Sequence, residues 1–134
     1  MQLAAEVASV SKKSIWVGRI LSGLALLVFA FTAALGMVNR AAAAQGFAHY
    51  GYPAGSMIPI AVAEFVCVIL YAIPQTSVLG AILLTGYLGG AISTHVRAGE
   101  PFYLPLGVGV IVWLGLFLRD SRLRALLPLR SPAS

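Results

Sequence analysis

The chain has 134 residues, of which 60% are hydrophobic and only 10% charged, with a net charge of +5. A soluble domain carries about a quarter charged residues, so this composition argues against an ordinary soluble fold and for a membrane protein. The basic residues cluster at the ends of apolar runs and form no patch interleaved with aromatics, which argues against nucleic acid as a partner.

A spanning helix needs about 20 mostly apolar residues. The first predicted span covers about 17–38. It carries no charge from Ile20 to Val38, is preceded by Lys12, Lys13 and Arg19, and is followed by Asn39-Arg40. A cleaved signal peptide would end near Ala41-Ala-Ala-Ala44, but a signal h-region is about 7–15 residues long and this run is longer. Arg40 also stands between the run and the alanines, so a retained span is expected. The alanine-rich segment from Arg40 to Tyr50 predicts a short helix lying at the outer interface.

The second span covers about 56–73 and holds an acid near its middle, Glu64. Pro74-Gln75-Thr76 breaks it, with Thr76 or Ser77 as the expected N-cap of the next helix. The third span, about 77–96, ends at His95-Val-Arg97. Together the second and third runs are about twice a bilayer long, so they predict a hairpin. The fourth span, about 102–118, follows Gly99-Glu100-Pro101 and carries Pro105 in its first turn, where a missing N–H costs little. Asp120 to Leu127 reads as a basic, weakly amphipathic tail, ended by Pro128, that anchors on anionic lipid.

The expected fold is therefore all-α and integral to a membrane: a single domain over 1–134, built as a four-transmembrane-helix up-down bundle with a short outer interfacial helix and a basic tail. Of the nine Lys and Arg residues, seven (Lys12, Lys13, Arg19, Arg119, Arg122, Arg124 and Arg130) flank the side of the termini, and two (Arg40 and Arg97) flank the other. The positive-inside rule then places both termini in the cytoplasm.

An ionisable group at bilayer depth is costly unless paired, hydrated or protonated, which makes Glu64 the first candidate site residue. His95 and Arg97 fall in the same outer half of the membrane, with Arg40, His49, Tyr50, Tyr52, Glu100 and Tyr103 at the same level. Two positions on a helix are about 200° apart, so His95 and Arg97 cannot both face Glu64, and the sequence leaves open which does. One reading is an ion pair that pins two helices. The other is a polar pocket for a small molecule, a quinone headgroup or a proton. His49, His95 and Glu64 share no ligand spacing, so no metal is expected. Gly86-x-x-x-Gly90 predicts a close helix approach, either inside the bundle or across a homo-oligomer. Trp16, Trp113, Tyr87 and Tyr103 read as interface anchors and packing rings. Cys67 is the only cysteine, which excludes an internal disulfide or a C-x-x-C pair. No phosphate loop, nucleophile elbow or Ser/His/Asp arrangement is visible.

Gly51-Tyr-Pro, Glu64, Pro74-x-Thr76-x-x-x-Gly80-Ala81-Ile-Leu-Leu84, Gly90-Ala91-x-x-x-His95-x-Arg97 and Trp113-Leu-Gly-Leu-Phe-Leu-Arg119 together resemble the DoxX-like family of small bacterial membrane proteins, over about 15–128. The resemblance implies a compact four-helix bundle in the bacterial inner membrane. Its better-studied relatives are membrane subunits linked to sulfur or thiol oxidation, with quinone as acceptor. Carried over by position, Glu64, His95 and Arg97 are the polar residues that match. The lone cysteine departs from what a thiol-handling subunit uses, so no catalytic activity of its own is expected. The expected function is a non-catalytic subunit or anchor of a redox complex, with a soluble oxidoreductase or another membrane subunit as partner. The alternatives are a small-solute or proton-coupled carrier using Glu64 and His95, and a structural or assembly protein.

Overall fold

The computed structural model describes residues 10–127, so Pro128 and Arg130 of the expected tail lie outside the described residues. Helix α1 runs Lys12–Val38, α2 Arg40–His49 and α3 Met57–Ala72. A 3-10 turn, Pro74–Thr76, leads into α4, Ser77–Ala98. Helix α5 runs Tyr103–Arg119 and α6 Ser121–Leu126. The expected element boundaries agree to within a few residues, apart from α1, which starts several residues earlier.

Short polar side chains punctuate the helices. Ser11 starts α1 by accepting the Ser14 N–H at 3.2 Å. Asn39 ends α1 with its N–H on the Leu35 carbonyl and starts α2 with its side chain on the Ala42 N–H, so the chain turns on one residue. Asp120 does the same between α5 and α6, accepting from the N–H groups of Arg122 and Leu123. Thr76 is the N-cap residue of α4, but the expected side-chain cap is not made there. The Thr76 hydroxyl donates to the Leu70 carbonyl at 2.8 Å, and Ser77 donates to the carbonyls of Ile73 and Tyr71. The last carbonyls of α3 lack helical partners, and these hydroxyls satisfy them.

The four long helices pack antiparallel. Helix α1 lies along α5, α5 touches α4, α4 pairs with α3, and α3 touches α1 more lightly. Two glycine contacts set the closest crossings. A Cβ on Gly80 would run into the backbone of Tyr71, and a Cβ on Gly18 would stand 2.7 Å from the Gly115 carbonyl oxygen. The expected internal seam at Gly86 and Gly90 is not there: a Cβ on either would meet nothing within 4 Å. The hairpin is held at its closed end instead, where Gly80 faces Tyr71, and both glycines of the motif lie on the exposed face of α4.

The core is small and consists chiefly of Ala25, Tyr71, Ala81, Leu84, Val112 and Leu116. Phe31, Ile58, Phe65 and Leu104 are each at least 64% exposed, on three different helices. So wide an apolar surface is unstable in water and marks a lipid or protein interface. Two stretches, Lys12–Val38 with 27 residues and Pro74–Ala98 with 25, are long and apolar enough to cross a membrane. Helices α3 and α5, at 16 and 17 residues, are apolar but shorter.

Candidate functional site

The Gly80–Tyr71 contact fixes the register of α3 against α4. Two turns from it along each helix, Glu64 and Tyr87 come face to face, and the Tyr87 hydroxyl donates to Glu64 Oε2 at 2.7 Å. Both side chains are partly buried, and Cys67, one turn from Glu64, is buried beneath them. Tyr87 is the hydrogen-bond partner of Glu64, and among the described residues no cation lies within salt-bridge distance of it. The single Tyr87 proton is spent on Glu64, so the pair offers acceptor lone pairs at mid-helix depth, and a donor only with a proton on Glu64.

His95 and Arg97 stand elsewhere. They lie eight and ten residues beyond Tyr87 on α4, which is about 12 and 15 Å along the axis. There they join a cluster that ties α2 to the α4–α5 turn. Gly99 makes that turn in the left-handed region, at φ 73°, and the Glu100 N–H bonds back to the His95 carbonyl at 2.9 Å. This brings the Glu100 carboxylate to His49 Nε2 at 2.6 Å and to the Tyr50 hydroxyl, which donates to it at 2.7 Å. Arg97 donates to the Tyr50 carbonyl at 2.9 Å. Nearby, the hydroxyls of Tyr52 and Thr94 meet at 2.8 Å.

The electrostatics follow from these bonds. The Tyr50 hydroxyl, then His49, hold the Glu100 carboxyl below its ordinary range. The same hydrogen bond to Glu100, with burial second, pushes the Tyr50 phenol up. His95 Nδ1 faces the Ala91 carbonyl at 2.8 Å and therefore carries a hydrogen. The single Tyr50 proton goes to Glu100, so His95 Nε2, 3.4 Å from the phenol oxygen, bonds to it only when doubly protonated.

A third polar network lies at the other end of the bundle. Arg119 Nε donates to Ser22 at 3.0 Å, Ser22 meets the Tyr71 hydroxyl at 2.9 Å, and Tyr71 donates to the Val112 carbonyl at 2.9 Å. The Tyr71 proton is spent on Val112, so Ser22 is the donor to Tyr71. Arg119 also stacks 5.6 Å over the Tyr71 ring. Every member is satisfied, as a buried network requires.

The structure thus separates Glu64 from His95 and Arg97, and brings the latter two together with His49, Tyr50 and Glu100. The partner that sequence reasoning missed is Tyr87, placed there only as an anchor or packing ring. The signal was present: in a hairpin closed at Pro74–Thr76, Glu64 and Tyr87 lie at similar distances from the turn. Among the described residues no three of His, Cys, Asp and Glu converge as metal ligands would.

Comparison with known proteins adds one match. The model of the DoxX-like family matches residues 20–116. No curated protein and no solved structure gives a match.

Proposed function

We propose, since the chain belongs to the DoxX-like family, that it is a four-span bacterial inner-membrane subunit that anchors a redox complex and offers a polar site at Glu64 and Tyr87. The observation that carries this reading is the 2.7 Å bond between those two side chains in the middle of an apolar hairpin. An ionisable residue at such depth is a functional site by default. Helices α3 and α5 count as spans on this reading, shortened at their ends by the interfacial helices α2 and α6. The charge distribution supports cytoplasmic termini. Lys12, Lys13, Arg19, Arg119, Arg122 and Arg124 lie at one end of the bundle, and Arg40 and Arg97 at the other.

A quinone suits the pair chemically. The hydroxyls of the quinol donate hydrogen bonds, matching the free lone pairs of Glu64 and Tyr87, and a quinone carbonyl would accept one from Glu64 when that carboxyl carries a proton. Bound there, a quinone would supply electron-accepting capacity. The chain's own residues would orient the headgroup and hold a proton on Glu64. His95 and Arg97 contribute on this reading by fixing α2 over the outer end of α4. The partner is a soluble oxidoreductase or another membrane subunit. Purification in gentle detergent, followed by mass spectrometry, should recover such an oxidoreductase in stoichiometric amount. Recovery of the chain with lipid alone would overturn the subunit reading.

A second reading is favoured by the pairing of Glu64 with a neutral donor and not a cation: a proton-coupled carrier for a small solute. It expects pH-dependent flux into liposomes that Glu64→Gln abolishes.

A further inference from the structure

Between α4 and α5 runs an open groove of about 600 Å³. Gly89 and Gly109 leave it wide, since neither carries a side chain to close it, and Trp113 and Phe117 floor its lower part. Its polar wall atoms are already paired: Trp113 Nε1 donates to the Thr85 hydroxyl at 2.7 Å, and Thr85 donates to the Ala81 carbonyl at 2.8 Å. The groove therefore asks for an apolar occupant. From Pro105 to Phe117 it follows α5 for about 18 Å, slightly more than half of a bilayer core of about 30 Å.

One end of the groove is strongly basic. It closes on Leu127, and Arg124, which shares a helix face with Leu127, lies 5.2 Å from the Phe117 ring. Arg124 is locked there by bonds to the carbonyls of Phe117 and Leu118 and to the Ser14 hydroxyl. Arg122 is exposed, and its guanidinium makes no hydrogen bond among the described residues. The start of α1 brings Lys12, Lys13 and Arg19 to the same end, through the Ser14 bond to the Leu118 carbonyl. Asp120 is the one acid there among the described residues, and its Oδ1 accepts from two backbone N–H groups.

We propose that this groove binds an acyl chain of an anionic phospholipid, with the phosphate held at Arg124. The apolar groove and the cationic end supply the two halves of such a lipid's chemistry, and Nη1 of Arg124, which makes no hydrogen bond among the described residues, supplies the open donor. A second copy of the chain, packed parallel on this face, would set its own cationic end against this one, which charge repulsion opposes.

The test is native mass spectrometry of the full chain in detergent, with equimolar phosphatidylglycerol and phosphatidylcholine of identical acyl chains. The wild type should prefer phosphatidylglycerol. Arg124→Gln should reduce that preference about fivefold, more than Arg122→Gln, which lies about 200° away around α6. Gly89→Phe fills the groove from a position where a Cβ meets nothing within 4 Å, and should remove bound lipid of both kinds while far-ultraviolet circular dichroism stays unchanged. An equal uptake of the two lipids by the wild type, or an undiminished preference in Arg124→Gln, would overturn the proposal. So would a dimer in the wild type that Gly89→Phe dissociates, because the groove would then belong to a second copy. If Gly89→Phe does not fold, the comparison of Arg124→Gln with Arg122→Gln decides alone.

Discussion

The Tyr87 hydroxyl reaches the Glu64 carboxylate because both side chains stand two turns from the point where Gly80 rests on the backbone of Tyr71. The helix contact sets the register, and the register sets the site. Geometry at a glycine thus decides which of several polar residues on α4 meets the acid.

Glu64 should couple to Tyr87 and not to His95. A hydrogen bond to a charged group contributes about 1.5–3 kcal/mol. In a double-mutant cycle of Glu64→Gln with Tyr87→Phe, detergent unfolding should therefore show a coupling of about 1 kcal/mol or more. The cycle of Glu64→Gln with His95→Gln should be additive within about 0.5 kcal/mol, as for separate sites. The opposite pattern would move the acid's partner to the outer cluster.

The hairpin contact predicts opposite responses from glycines on the same helix. Gly80→Ala places a methyl group against the Tyr71 backbone, where neither side can yield, and should cost about 1–3 kcal/mol. Gly90→Leu meets open space and should leave the melting temperature of the monomer within about 2 °C. A large loss at Gly90 with none at Gly80 would contradict this packing.

The outer cluster carries a pH dependence of known sign. The Glu100 carboxyl is held below its ordinary value of 4.5, so its contribution is present above that value and is lost as pH falls further. The Tyr50 phenol is raised above 10.0, so its contribution is present below that value and is lost as pH rises further. The docking of α2 should therefore be tightest between those limits. Hydrogen exchange of α2 amides, corrected for intrinsic rates, should show protection that falls at both ends, and Glu100→Gln should remove the acid limb. Protection that is flat across the range would contradict the assignment.

At the opposite end, Tyr71→Phe should be costly. It strips a hydrogen bond from the Val112 carbonyl and a partner from Ser22, both buried, at about 1–3 kcal/mol. Restoration of stability by adding Ser22→Ala would show that the unsatisfied serine carries much of the cost. No change on Tyr71→Phe would mean that the network contributes nothing.

Most of the helical framework was legible from residue order alone. Long apolar runs interrupted by Asn39-Arg40, Pro74 and Gly99 can break in few other places. The short helix after Arg40 followed from its alanines. The pairing across helices was not legible, because hydropathy does not distinguish a glycine that touches a neighbour from one that faces lipid. Gly86 and Gly90 have the spacing of a helix seam, yet Gly80 makes the contact. Arg119 reads as an orientation charge, and only packing shows it bonded to Ser22 over the Tyr71 ring. The depth of Glu64 was evident from its run. Its partner depends on the register and needs three dimensions.

The assignment of Glu64 and Tyr87 to a quinone site is tested most directly by counting quinone per chain. The wild type and the Glu64→Gln, Tyr87→Phe and His95→Gln variants would be purified identically in gentle detergent from native membranes and extracted. The first two variants should retain markedly less quinone than the wild type, while His95→Gln should match it. Equal quinone in all four, or a loss confined to His95→Gln, would contradict the account.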